Sequence, residues 1–133
     1  MRIIKYIFVG ILFVLFSASN VSSQTQNDLP KNLVLAFKQG NCASLSNYFS
    51  DRIQLSIQDK EGSYSKSQAK QILDKFFRDY PPTDFKKKHA GGKTGARYAT
   101  GELITKKGNF RLSFLSKKQN GKFIIHQLHI EKD

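Results

Sequence analysis

The chain has 133 residues, with 22 Lys and Arg against 10 Asp and Glu and a formal net charge of +12 at pH 7. That length supports one hydrophobic core rather than several. The single cysteine, Cys42, excludes an internal disulfide, and the positive balance bears on partners and solubility, not on fold.

The N-terminus reads as an export signal. Met1-Arg2-Ile3-Ile4-Lys5 is a short basic start, residues 7–16 are an unbroken apolar run with one glycine, and Ser17-Ala18-Ser19-Asn20-Val21-Ser22-Ser23 is a small, mostly polar exit. This is the order of a secretory signal peptide. The apolar run is shorter than the roughly 20 residues a spanning helix needs. Val21 and Ser23 fit the small-residue positions before a cut, so cleavage is expected after Ser23. The rival reading is a retained N-terminal anchor. The mature product is expected to be periplasmic or extracellular, with no transmembrane span. Its organisation is a polar tail over 24–27 and one domain over 28–133.

Loss of Arg2 and Lys5 with the leader leaves 20 basic and 10 acidic residues, a net of +10. Residues 24–85 hold eight basic and seven acidic side chains, whereas 86–133 hold twelve and three. A one-sided field of this kind favours anionic partners at low salt. Outside the cytoplasm these are lipid head groups, acidic glycans or an acidic protein, and nucleic acid is not expected. The competing reading is that the lysines only keep an exported protein soluble.

Asp28 is placed to cap a first helix with Pro30 in its first turn. Leu29, Leu33, Ala36 and Phe37 share one face, and Gly40 stops the helix. A second short helix is predicted over 43–49, with Leu45, Tyr48 and Phe49 facing inward. Residues 52–58 alternate, with Ile53, Leu55 and Ile57 on one side of a half-buried strand. Asp59-Lys60-Glu61-Gly62 reads as a turn, followed by a short extended stretch. Ser65-Lys66-Ser67-Gln68 has the spacing of a capping box. The helix it opens carries the stripe Ala69, Ile72, Leu73, Phe76, Phe77 and Tyr80, and Pro81-Pro82 ends it. Beyond the prolines the period becomes two. Four strands are predicted, over 84–90, 97–106, 109–117 and 122–131. They are joined by a loose loop at 91–95, a tight turn at Lys107-Gly108 and a hairpin at Asn120-Gly121. Short connections imply antiparallel pairing. In the last strand Ile124, Leu128 and Ile130 are expected to share a face with His126. Phe123 and Ile125 make the other face partly apolar, which suggests a second contact such as a dimer interface.

This order calls for an α+β fold, with about three helices packed on one face of a curved, mostly antiparallel sheet. The chain resembles the cone-shaped nuclear transport factor 2-like (cystatin-like) superfamily. Within it, the chain looks like a family of exported, Bacteroidetes-type bacterial proteins named only as a domain of unknown function. The resemblance covers about 28–131 and is carried by three segments and the paired final strands. The segments are Asn32-Leu33-Val34-Leu35-Ala36-Phe37-Lys38-Gln39-Gly40-Asn41, Leu45-Ser46-Asn47-Tyr48-Phe49 and Tyr64-Ser65-Lys66-Ser67-Gln68-Ala69. These mark shape, not chemistry. The resemblance implies a pocket between helices and sheet and a homodimer formed through the sheet. In some enzymes of the superfamily it implies an Asp or His inside the cone for proton transfer.

Gly92-Lys93-Thr94 is not a phosphate loop, because Lys87 stands where the motif needs glycine and a strand follows where it needs a helix. Lys86 and Lys88 share one face of their strand. Arg97 and Arg111 join them in a cationic, anion-binding face if the strands align. Lysines there also blunt an exposed sheet edge. His126 is the best-placed titratable group for the cone, with Tyr48 and Tyr98 as hydrogen-bond partners. A histidine on an apolar face is more often structural. His126 and His129 fall on opposite faces of a strand, so no metal site is supported. No local pattern links Cys42 to a histidine, so it reads as a small structural side chain.

The expectation is an exported, non-enzymatic binding module without cofactor or catalytic residues. Its cone pocket (Tyr48, Tyr98, His126) or basic sheet face (Lys86, Lys88, Arg97, Arg111) engages an anionic or amphipathic ligand or an envelope protein. The alternatives are a small enzyme of the isomerase or dehydratase type and an accessory protein-interaction domain.

Overall fold

The computed structural model describes residues 29–133 except Thr94. The predicted leader, the tail at 24–27 and the Asp28 cap lie outside the described residues. Helix α1 (Lys31–Gln39) starts two positions later than an Asp28 cap implies, with Pro30 before its first turn instead of in it. Pro30 is its N-cap, and its carbonyl accepts from the N–H groups of Leu33 and Val34. Gly40, at φ 63°, ends the helix in the left-handed region that glycine enters freely. Helix α2 (Cys42–Ser46) is shorter than predicted, because Phe49 already belongs to strand β1 (Phe49–Ile57).

The next stretch corrects the sequence reading. The expected turn over 59–62 and its extended continuation form a strand, β2 (Lys60–Ser65), paired antiparallel with β1. The turn itself tightens to Gln58 and Asp59, with Gln58 at φ 52°. Helix α3 (Lys66–Asp79) carries the predicted capping box. Ser65 Oγ accepts from the Gln68 N–H at 3.2 Å, and Gln68 Oε1 accepts from the Ser65 N–H at 3.1 Å.

Four strands complete the chain: β3 (Pro82–Lys93), β4 (Ala96–Thr105), β5 (Gly108–Gln119) and β6 (Lys122–Lys132). The loose loop expected at 91–95 is mostly ladder, since Gly91, Gly92 and Lys93 pair with Tyr98, Arg97 and Ala96. Asn120 and Gly121 both adopt positive φ, 52° and 75°, as a tight hairpin requires.

The six strands form one sheet in the order β2-β1-β6-β5-β4-β3. All neighbours are antiparallel except β1 and β6. Register shifts in β1, β3 and β6 bend the sheet, as bulges do. The helices cover its inner face. Leu33, Phe37, Leu45, Leu73, Phe76 and Phe77 pack onto Ile53, Leu55, Leu103, Phe110, Leu112, Phe114, Ile125, Leu128 and Ile130. The aromatic rings fill the cone. Phe37 lies 5.1 Å from Phe85 and 6.1 Å from Phe114, and Phe110 lies 5.0 Å from Phe76 and 4.8 Å from Tyr80 between ring centres.

Candidate functional site

The sheet register decides where the four expected anion-binding cations stand. Lys86, Glu102, Arg111 and Glu131 are direct neighbours across β3, β4, β5 and β6. They form one row on the uncovered face, and its signs alternate. Lys88 Nζ lies 3.5 Å from Glu102, and the Arg111 guanidinium lies 3.5 Å from Glu131 and 3.6 Å from Asp133. Arg97 is on the other side of the sheet. It is paired with buried Ser116 and shares its side of β4 with Ala99 and Leu103. The expected alignment of four cations on one face is therefore not formed, and three of them stand among carboxylates. Such exposed pairs contribute little to stability. Strand β3 is an edge strand, so Lys86, Lys87 and Lys88 also stand where lysines discourage edge-to-edge pairing.

The second expected set does not converge. Tyr48 is half-buried at the end of α2, its ring 6.4 Å from that of Phe123. Tyr98 is 55% exposed, on the side of β4 opposite Ala99. His126 is the extra residue of a bulge, because Ile125 pairs with Ser116 while Gln127 pairs with Leu115. Ile125 and Leu128 therefore both face the core, and the expected face of Ile124, His126 and Leu128 is broken. The His126 Nε2 atom is enclosed and has no hydrogen-bond partner among the described residues. Tyr48 and Tyr98 line different small cavities, and His126 lines neither.

Cys42 is buried at the start of α2. Burial pushes its thiol pKa well above the ordinary range, and a hydrogen bond to the Asp74 carboxylate raises it further. A thiol held in this way is a poor nucleophile. Among the described residues, no three His, Cys, Asp or Glu side chains are grouped to hold a metal.

One cavity has the composition of a binding site. A cleft of about 350 Å³ opens between α3 and the β1–β2 hairpin. Its apolar lining is Ile57, Ile72, Phe76 and Tyr80, and its polar lining is Gln58, Asp59, Lys60, Gln71, Lys75 and Asp79. Two lysines and two aspartates thus line a floor that continues into the core through Phe76 and Ile57. Another cavity, of about 380 Å³, is lined by hydroxyl and charged residues (Ser46, Asp51, Ser65, Lys66, Ser67, Lys70) and by no hydrophobic residue. The cleft follows from a surplus in the α3 stripe. Leu73 and Phe77 are buried, while Ile72 and Tyr80 on its margin stay half-buried. That apolar width beyond what the core uses is the one signal of the cleft that the sequence carries.

Three helices on the inner face of a bent six-stranded sheet are the architecture of the nuclear transport factor 2-like fold. An NTF2-like protein of unknown function from Shewanella baltica shares it, with a TM-score of 0.59 at 15% identity over 77% of this chain and 86% of that one. Residues 30–131 match the family described as Domain of unknown function (DUF4783), and the chain belongs to that family. The crystal structure of a DUF4783 family protein from Bacteroides uniformis is similar at 32% identity, covering 80% of this chain and 98% of that one, with a TM-score of 0.75. A DUF4783 family protein from Bacteroides fragilis gives 31%, 80%, 100% and 0.75. No curated protein matches the chain.

Proposed function

We propose that this DUF4783 protein is an exported binding module that takes an amphipathic small molecule in the cleft between α3 and the β1–β2 hairpin. The observation that carries this reading is an apolar floor of Ile57, Ile72, Phe76 and Tyr80 next to side chains of both signs. Ligand sites are mostly apolar hollows of about 300–1,000 Å³ with a few polar groups that set orientation. The floor suits a short acyl or aromatic body, and the mixed rim suits a zwitterionic head. Binding is favoured over catalysis because Tyr48, Tyr98 and His126 stand apart and the Cys42 thiol is held neutral. Export rests on the leader sequence at 1–23. Envelope fractionation followed by N-terminal sequencing, with Gln24 as the expected first residue, checks that part.

The cleft is tested with dodecylphosphocholine, a zwitterionic amphiphile, titrated below its micelle concentration and followed by amide chemical shifts. Shifts are expected on α3 and the β1–β2 turn. Ile72→Trp fills the cleft from a half-buried position and is expected to weaken binding about tenfold or more, with the melting temperature within a few degrees of the parent. Shifts confined to the outer sheet face, or binding that Ile72→Trp leaves unchanged, would overturn the assignment.

A further inference from the structure

Four of the twelve cations of the second half stand together at one end of the sheet. Strands β3 and β4 meet at Lys93 and Ala96, and β5 and β6 meet at Gln119 and Lys122, so both hairpin tips lie at the same end of the sheet. Lys93, Lys117, Lys118 and Lys122 sit on these tips. All four are exposed, and none forms an ion pair with a described residue. Glu102 is the only acidic residue anywhere from 86 to 130, and it lies in mid-strand, held by Lys88 and Asn109. Among the described residues the tips are therefore lysines without an acidic partner, spread over β3, β5 and β6 of a sheet whose neighbouring strands are about 5 Å apart.

The chain enters the domain at this same end. Leu29, the first described residue, lines a crevice with Ala90, Tyr98 and Phe123 beside the tips. The segment ahead of it carries the apolar run at 7–16. For as long as that run stays in a bilayer, the domain is tethered to the lipid through this end. Clusters of lysine beside a membrane attachment point bind anionic head groups, with several lysines acting together. Tyr98, 55% exposed on the same arm, adds the aromatic character favoured at a lipid interface.

We infer that the paired hairpin tips form a docking surface for an anionic phospholipid membrane. This rests on the export reading for the position of the leader, and it is independent of what the cleft holds. Residues 29–133 contain the described core and all nine described elements, so the test uses the chain from Gln24, without the apolar run. Sedimentation with phosphatidylcholine vesicles, with and without phosphatidylglycerol, measures partition. Binding is expected only to the vesicles with phosphatidylglycerol, and it is expected to vanish in about 1 M salt, where the Debye length is about 3 Å. Each lysine near such a surface contributes roughly fivefold. The variant K93E/K117E/K118E/K122E is thus expected to lose about 100-fold or more, while K106E/K107E at the far end of the sheet keeps most of the parental partition. Circular dichroism confirms that both variants fold. Equal loss in both variants, or no partition onto phosphatidylglycerol vesicles, overturns the inference. Binding to heparin without binding to vesicles also overturns it, in favour of an acidic glycan. Dodecylphosphocholine titration of the same variants separates these outcomes from failure of the cleft reading.

Discussion

Cys42 shows how one side chain can be exposed to reaction in the unfolded chain and closed to it in the fold. Its thiol is 3% exposed at the first position of α2, and burial, then the Asp74 carboxylate, both favour the neutral form. Lys70 acts the other way and is the smallest influence. The folded-state pKa therefore stands above the ordinary value of 9.0. The resulting stabilisation is complete below that value and is lost as pH climbs through it toward the folded pKa, because the unfolded thiol then ionises and the folded one does not. Native protein is expected to resist iodoacetamide at about pH 8, and to react at the rate of a free thiol once unfolded in guanidinium. The parent is also expected to lose unfolding free energy relative to Cys42→Ala between about pH 8 and about pH 11. A native thiol that alkylates as fast as the unfolded one would remove this account. Arg97 and His126 carry a different lesson. Arg97 has the parity of Ala99 and Leu103, so its place on the covered side follows from alternation alone. His126 has no such signal, because a bulge is set by what Ser116 and Leu115 pair with on the neighbouring strand.

Elements whose signals are local are the ones legible in the sequence. The capping box at Ser65 and Gln68, the stop at Gly40, the double proline after α3 and the Asn120-Gly121 hairpin all stand where the residues place them. Strand β2 is not legible, since Lys-Glu-Gly-Ser-Tyr-Ser has no apolar alternation and forms the sheet edge beside β1. Its existence comes from pairing with β1, a tertiary effect that outweighs weak local preference. Gly101 is a similar case within β4. A Cβ built there would meet the Phe85 ring at 2.5 Å and the Lys86 carbonyl at 2.9 Å. The aromatic ring of the edge strand thus packs into the space that a side chain on β4 would occupy, and Phe85 in turn meets Phe37 of α1. Gly101→Ala is expected to lower stability by about 1–3 kcal/mol through overpacking. Urea unfolding checks this, with the midpoint falling and the m-value unchanged. A midpoint within error of the parent would mean that Phe85 moves aside without penalty.

At the scale of the molecule the structure has two ends. The β1–β2 turn lies beside the C-terminal end of β6, since Ile57 pairs with Ile130 and Gln58 donates to the Ile130 carbonyl. The Asn120-Gly121 turn is at the other end of β6. The cleft and the lysine tips are therefore separated by the length of a strand of 11 residues, about 30–35 Å. This polarity was only half legible: the net charge of 86–133 announces a cationic region, but only the pairing of β3 through β6 brings Lys93, Lys117, Lys118 and Lys122 to one end. Separation has a thermodynamic consequence. Two sites this far apart, with no shared residue and a packed aromatic core between them, have no direct contact through which one ligand changes the affinity for the other. Dodecylphosphocholine affinity is accordingly expected to be the same for the parent and for K93E/K117E/K118E/K122E, and vesicle partition the same for the parent and Ile72→Trp. The combined variant is expected to show both losses at their single-variant sizes, within about 0.5 kcal/mol. Coupling beyond that margin, measured in the full cycle of four proteins, would show that docking at the tips and occupancy of the cleft bias a common conformational change. A molecule whose two ends act independently can hold its cleft away from the membrane, open to solvent, while its tips remain on the lipid.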